Sequence, residues 1–146
     1  MKVESLGHVV LKVTDLARSE KFYSGILGLP VVAHFDEQGM KMTFFSLGNH
    51  HDIALAQVSG EDSAGGEQAV GLHHVAFRIG DSIDQLVEAK NHLEAAGVKP
   101  HPIDHEVTKS LYFHDPDGNM LELYVDASDA WRQDPQRVAQ VRPLQL

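Results

Sequence analysis

Ten histidines and no cysteine in 146 residues bound the chemistry this sequence can support. Histidine is the commonest metal ligand and the side chain that titrates nearest neutrality. The missing cysteine excludes disulfides, thiolate zinc sites and thiol nucleophiles. Glu122 lies in Met120-Leu-Glu-Leu-Tyr-Val125, where strand alternation puts Leu121, Leu123 and Val125 on one face and Met120, Glu122 and Tyr124 on the other. A carboxylate among apolar neighbours calls for a cation, because an unpaired buried charge is costly. His8 in Leu6-Gly-His-Val-Val-Leu-Lys-Val13 and His74 in Leu72-His-His-Val-Ala-Phe-Arg-Ile79 hold the same place in two similar segments, and both pairs His8/His74 and Asp15/Asp81 are 66 residues apart. A lone strand histidine is more often structural. What singles out these three is that each points away from the apolar face of its strand. Two imidazoles and one carboxylate around open positions suit Fe(II), and also Mn(II), Zn(II) or Ni(II).

The elements that must carry these residues come in two copies. In the first, a strand at Leu6–Val13 precedes a helix of about a dozen residues opened by Asp15, with Leu16, Phe22, Tyr23, Ile26 and Leu27 at roughly helical spacing and Gly28 near its end. A hairpin around Asp36-Glu-Gln-Gly39 and a strand from Asp52 to Val58 follow. Ser59 to Ala69 is small, polar and glycine-rich, which reads as a linker or flap. In the second copy, Ser82 and Gln85 make a capping box for a helix with Ile83, Leu86, Val87 and Leu93 as its apolar stripe and Gly97 at its stop. Strands follow near Lys99–Ile103, Ser110–His114 and Met120–Val125, the last two joined by Asp115-Pro-Asp-Gly-Asn119.

The predicted architecture is α+β, two paired βαβββ repeats forming a cupped mixed sheet with helices outside. Repeat one covers about 4–58, the linker 59–70, repeat two about 71–126 and a C-terminal segment 127–146, all in one domain. Aligning Ile53-Ala-Leu55 with Leu121-Glu-Leu123 gives Glu122 the repeat partner Ala54, which cannot ligate. Three ligands then leave room for a chelating substrate. The C-terminal segment is polar, with Trp131, Pro143, Leu144 and Leu146 as anchors, and reads as a wrapping or subunit-contact piece without chemistry.

A single domain of this length buries about two-thirds of its unfolded surface, and 42% hydrophobic residues fit a soluble globular protein. A net charge of -9 argues against nucleic acid and anionic membrane surfaces as partners. The start lacks the apolar run of a signal peptide and no window reaches transmembrane length, so a cytoplasmic location is expected.

With those residues in place, Leu-Gly-His8, Leu-His-His74 and Asp-Pro-Asp-Gly-Asn-Met-Leu-Glu122 resemble the metal-ligand motifs of the vicinal oxygen chelate superfamily, which includes glyoxalase, bleomycin-resistance and extradiol dioxygenase proteins. The resemblance covers about residues 4 to 126 and is nearest to type I extradiol catechol dioxygenases. His50-His-Asp-Ile-Ala-Leu55 resembles the run that carries their acid/base histidine, which transfers to His51. Asp104-His-Glu-Val-Thr-Lys-Ser-Leu-Tyr112 resembles the segment that transfers to His105 and Tyr112, and Glu106 stands where the family has glycine.

What the resemblance implies is ring opening of a small catecholic aromatic by dioxygen at Fe(II) held by His8, His74 and Glu122. His51 would deliver a proton, and Tyr112 and His105 would hydrogen-bond the substrate oxygens. Ala54 and Ala56 would leave space for the ring. Strict continuation of the strand would turn His51 outward, so its role requires a kink at Asn49-His50. His73 is expected on the helix side as a structural residue. His34, His92, His101 and His114 are expected at the surface or in packing, with His114 open to a supporting role. A homodimer is the expected assembly. The alternatives are a glyoxalase-type isomerase, a fosfomycin-modifying transferase, or a drug-sequestering binding protein that needs no metal.

Overall fold

A computed structural model describes residues 5–60 and 72–146, so the linker expected at 59–70 lies outside the described residues beyond Gly60. The chain divides into two compact units, Met1–Val70 and Gly71–Leu146. Each holds one mixed sheet with a βαβββ order, the fold class expected from the repeats.

In the first unit β1 (Val9–Val13) runs parallel to β4 (Ile53–Gln57), which pairs antiparallel with β3 (Met40–Phe45), itself antiparallel to β2 (Val31–Glu37). Alternation decides the burial: Leu11 and Val13 are buried while Val10 and Lys12 are exposed. The β2–β3 turn puts Gln38 and Gly39 at φ 54° and 80°, the left-handed pair that matches the twist of a two-residue hairpin.

The helix after Asp15 differs from expectation. Asp15 caps it by accepting from the Arg18 amide at 2.9 Å, but only Leu16–Glu20 (α1) is α-helical, and Lys21–Ile26 continues in wider π-type turns. Leu27 donates to the Phe22 carbonyl and Leu29 to that of Tyr23. The wider turn lets neighbouring Phe22 and Tyr23 both enter the core, at 5% and 0% exposure, each contributing about 1.5–3 kcal/mol of burial.

In the second unit β5 (Val75–Gly80) runs parallel to β8 (Met120–Asp126), followed by β7 (Thr108–His114), β6 (His101–Asp104) and a short β9 (Arg142–Pro143). The expected capping box is present on α2 (Ile83–Ala95), and Gly97 closes the helix at φ 79°. The duplication extends to register. Val10 faces Ala54 in the first unit as Ala76 faces Glu122 in the second, which makes Ala54 the counterpart of Glu122. The copies differ at β9, a strand that the C-terminal segment adds beside β6.

The turn between β7 and β8 fixes the pairing on which the site depends. Asp115, 4% exposed, accepts from the amides of Asp117 and Asn119 at 2.9 and 2.8 Å and from the Asn119 side chain at 2.8 Å. Gly118 takes the left-handed position at φ 86°. That closure sets Tyr112 opposite Glu122, and a slip of one residue would turn both to the other face.

Candidate metal centre

In the second unit the expected residues converge. Glu122 is buried, and its Oε2 lies 3.1 Å from His74 Nε2. Across the β7–β8 ladder Tyr112 stands opposite Glu122, and its one hydroxyl hydrogen goes either to that carboxylate or to His105 Nε2. Burial, then the adjacent Glu122 carboxylate and its charge, hold the Tyr112 phenol well above its usual value, so it stays protonated. Tyr112 Oη also lies 3.0 Å from His105 Nε2, and His105 Nδ1 lies 2.8 Å from the Gln140 carbonyl oxygen.

His74 is further tied to its sequence neighbour, Nδ1 to Nδ1 of His73 at 2.8 Å. One of these nitrogens donates and the other accepts. If His74 donates, its Nε2 keeps a free lone pair on the side of Glu122, the tautomer a metal-ligating imidazole needs. His73, expected to be structural, is therefore the partner that orients His74. The adjacent His73-His74 pair was the signal in the sequence.

His105 sits in the tight turn between β6 and β7, whose amide and carbonyl ladder closes at Thr108. Glu106 occupies the left-handed region at φ 66°, a conformation costing a side-chain-bearing residue about 1–2 kcal/mol relative to glycine. Its carboxylate pairs with Arg137 of the C-terminal segment. That segment, expected to be without chemistry, thus reaches the site. Its Trp131 and Val138 also wall an open cavity of about 320 Å³ lined by Ala76, Val107, Glu122 and Tyr124. The sequence missed this because Gln140 acts through its backbone carbonyl, which any residue type supplies.

In the first unit His8 precedes β1 directly, as His74 precedes β5. The expected kink before β4 is present. Asn49 Oδ1 accepts from the His50 amide and lies 2.9 Å from His50 Nδ1, and Asp52 Oδ2 accepts from the Leu47 amide at 2.6 Å. The His51 ring consequently stands 4.2 Å from that of His8 and 5.2 Å from that of Phe44. One nitrogen from each of His8, His50 and His51 falls within 4.8 Å of the others, a grouping that adds His50 to the expected residues. Partial removal from water, then the nearby His8 and His50, keep the His51 imidazole below its usual value, which favours the neutral ring.

The remaining histidines divide. His34 lies 2.8 Å from Glu20, which also accepts from Thr43 at 2.9 Å. His101 and His114 are exposed, and no contact ties His114 to the ligand residues among those described. The donor chemistry at His74 and Glu122, an imidazole and a carboxylate converging on one point, fits a divalent ion that accepts nitrogen and oxygen.

The family model described as Glyoxalase/Bleomycin resistance protein/Dioxygenase superfamily matches residues 5–123, and the chain belongs to that superfamily. Among its relatives, biphenyl-2,3-diol 1,2-dioxygenase 3 of Rhodococcus globerulus is 36% identical over 127 residues, covering 83% of this chain and 63% of that protein. The chain spans about three fifths of the length of the biphenyl dioxygenases it matches. The metallothiol transferase FosB of Staphylococcus epidermidis is 30% identical over 125 residues, covering 85% of this chain and 83% of the other. In fold, the glyoxylase/bleomycin resistance protein/dioxygenase domain from Frankia sp. EAN1pec superposes with a TM-score of 0.74 at 22% identity, over 90% of this chain and 98% of that one. Among the described residues, no helix is long and apolar enough to cross a membrane.

Proposed function

We propose that the protein is an extradiol ring-cleavage dioxygenase acting on a small catecholic aromatic, with Fe(II) held by His8, His74 and Glu122. The observation that carries this reading is the run of neighbours His74–Glu122–Tyr112–His105, which joins a ligand pair directly to a phenol and a second imidazole. The identity to biphenyl-2,3-diol dioxygenases supports it. Bound iron supplies Lewis acidity and the one-electron chemistry through which dioxygen reacts. The product is the sum of catechol and dioxygen, so no external reductant is required.

This chain's own residues handle protons and orientation. A substrate hydroxyl hydrogen-bonds the Tyr112 oxygen, and as its proton moves to that oxygen the Tyr112 hydrogen passes to His105 Nε2. His51, favoured as the neutral ring beside His8, would take up a proton that the catechol releases on binding and give it back later in the cycle. Ala54 and Ala56 bring no bulk against the ring. The working form in this proposal is a cytoplasmic homodimer, and a light-scattering mass equal to one chain would remove the dimer from it.

The test is anaerobic loading with Fe(II), followed by oxygen uptake and absorbance assays over a catechol panel. Ring cleavage with one dioxygen consumed per catechol is expected. Tight metal binding with no oxygen uptake across the panel would overturn the reading. A second reading, a metal-dependent fosfomycin-modifying transferase, rests on the nearly end-to-end match with the transferase FosB. Thiol addition to fosfomycin by the loaded protein would favour it.

A further inference from the structure

The C-terminal segment holds the turn that carries His105 at three points. Ala127 and Ser128 donate to the Val107 carbonyl at 2.9 and 3.2 Å, Arg137 pairs with Glu106, and Arg142 and Pro143 lie in register with Asp104 and Ile103. Between the second and third points the Gln140 carbonyl oxygen meets His105 Nδ1 at 2.8 Å. A carbonyl only accepts, so Nδ1 carries a proton. In the neutral ring Nε2 is then an unprotonated acceptor, and it faces the Tyr112 hydroxyl at 3.0 Å.

We propose that this segment is a positioning element of the site: through the Gln140 carbonyl it fixes His105 as the Nδ1–H tautomer, with the Glu106–Arg137 ion pair keeping that carbonyl in place. The residue at 106 supports this. Its left-handed backbone would suit glycine better, yet a glutamate stands there and uses its side chain to hold Arg137. Asp134 further fixes the turn that follows it by accepting from the Gln136 amide at 3.2 Å. With the tautomer set beforehand, the Nε2 lone pair is directed at Tyr112 before any substrate arrives. Were the proton on Nε2, His105 could take nothing from Tyr112. The catalytic consequence rests on the function proposed above, whereas the tautomer itself does not.

The experiment uses the metal-free full chain labelled with ¹⁵N-histidine, read by long-range proton–nitrogen NMR at a pH where imidazoles are neutral, with the His105 signals assigned by their loss in His105→Gln. The wild type is expected to give a protonated Nδ1 and a bare Nε2. Arg137→Met and Glu106→Gly both cut the ion pair, and Glu106→Gly also relieves the backbone, so it should fold at least as well. In each, His105 is expected to lose its single tautomer and show averaged nitrogen signals. The charge-swapped pair Glu106→Arg with Arg137→Glu should restore it. A wild-type His105 protonated at Nε2, or a tautomer unchanged in both cutting variants, would overturn the proposal. Because the readout needs neither iron nor catechol, failure of the ring-cleavage reading leaves its outcome intact.

Discussion

Glu122 and His51 answer to different demands. Glu122 is 7% exposed and gathers both His74 and Tyr112, so its loss should empty the site. His51 stands beside His8 with Phe44 behind it, placed to act on what binds there. Glu122→Ala is expected to lose the metal. His51→Ala is expected to keep it while turnover falls by about 10²- to 10⁴-fold, the range for a positioned acid or base. Metal analysis beside oxygen uptake separates them, and equal metal loss in both would move His51 into the ligand set. Asp104 gives a prediction in acid. The hydrogen bond from Lys109 outweighs burial and, with the Glu106 amide, holds its carboxyl below 3.8. The unfolded chain then binds the proton more readily. Stability from the pair is whole above the unfolded value and is lost as pH falls through the depressed one. Asp104→Asn should therefore flatten the fall in melting temperature below about pH 4; an acid curve parallel to wild type would refute this.

Among the elements, the β7–β8 turn and the C-terminal segment bear most on the site. Asp115 gathers three hydrogen bonds in a buried setting. Asp115→Ala should cost about 1–3 kcal/mol, since unmade buried hydrogen bonds carry their desolvation penalty, and should lower metal affinity by loosening the Tyr112–Glu122 register. Thermal unfolding and a metal titration of the same variant check both effects. Trp131 is the chain's one tryptophan and lines the cavity that reaches Glu122. Its emission is expected to change when a catechol is added anaerobically to the iron-loaded protein. Emission that stays constant under saturating catechol would place the substrate elsewhere.

At the scale of the whole molecule, the proposal assigns ligands to both repeats, so binding of one ion links their stabilities. An ion at a hundredfold excess over its dissociation constant should add about 2.7 kcal/mol to unfolding stability, read as a raised thermal midpoint that a chelator reverses. Glu122→Ala should lose that gain. In the proposed site the duplication would also leave coordination positions open. Ala54 holds the position in the first repeat that Glu122 holds in the second, so the repeat contributes a histidine twice but a carboxylate once.

What the sequence determined by itself was local. Strand alternation, the Ser82–Gln85 capping box, the Asp115–Asn119 turn and the offset shared by His8 and His74 each involve residues a few places apart or repeated in kind, and each is present in the fold. The tertiary structure decided the rest. It widened the helix after Glu20 so that Phe22 and Tyr23 could both be buried, and it turned His51 onto His8 through the side chains of Asn49 and Asp52. It also brought the Gln140 carbonyl, 35 residues away, to His105. Helix width follows from core packing, and a backbone acceptor has no residue type, so neither leaves a mark that periodicity or composition can carry.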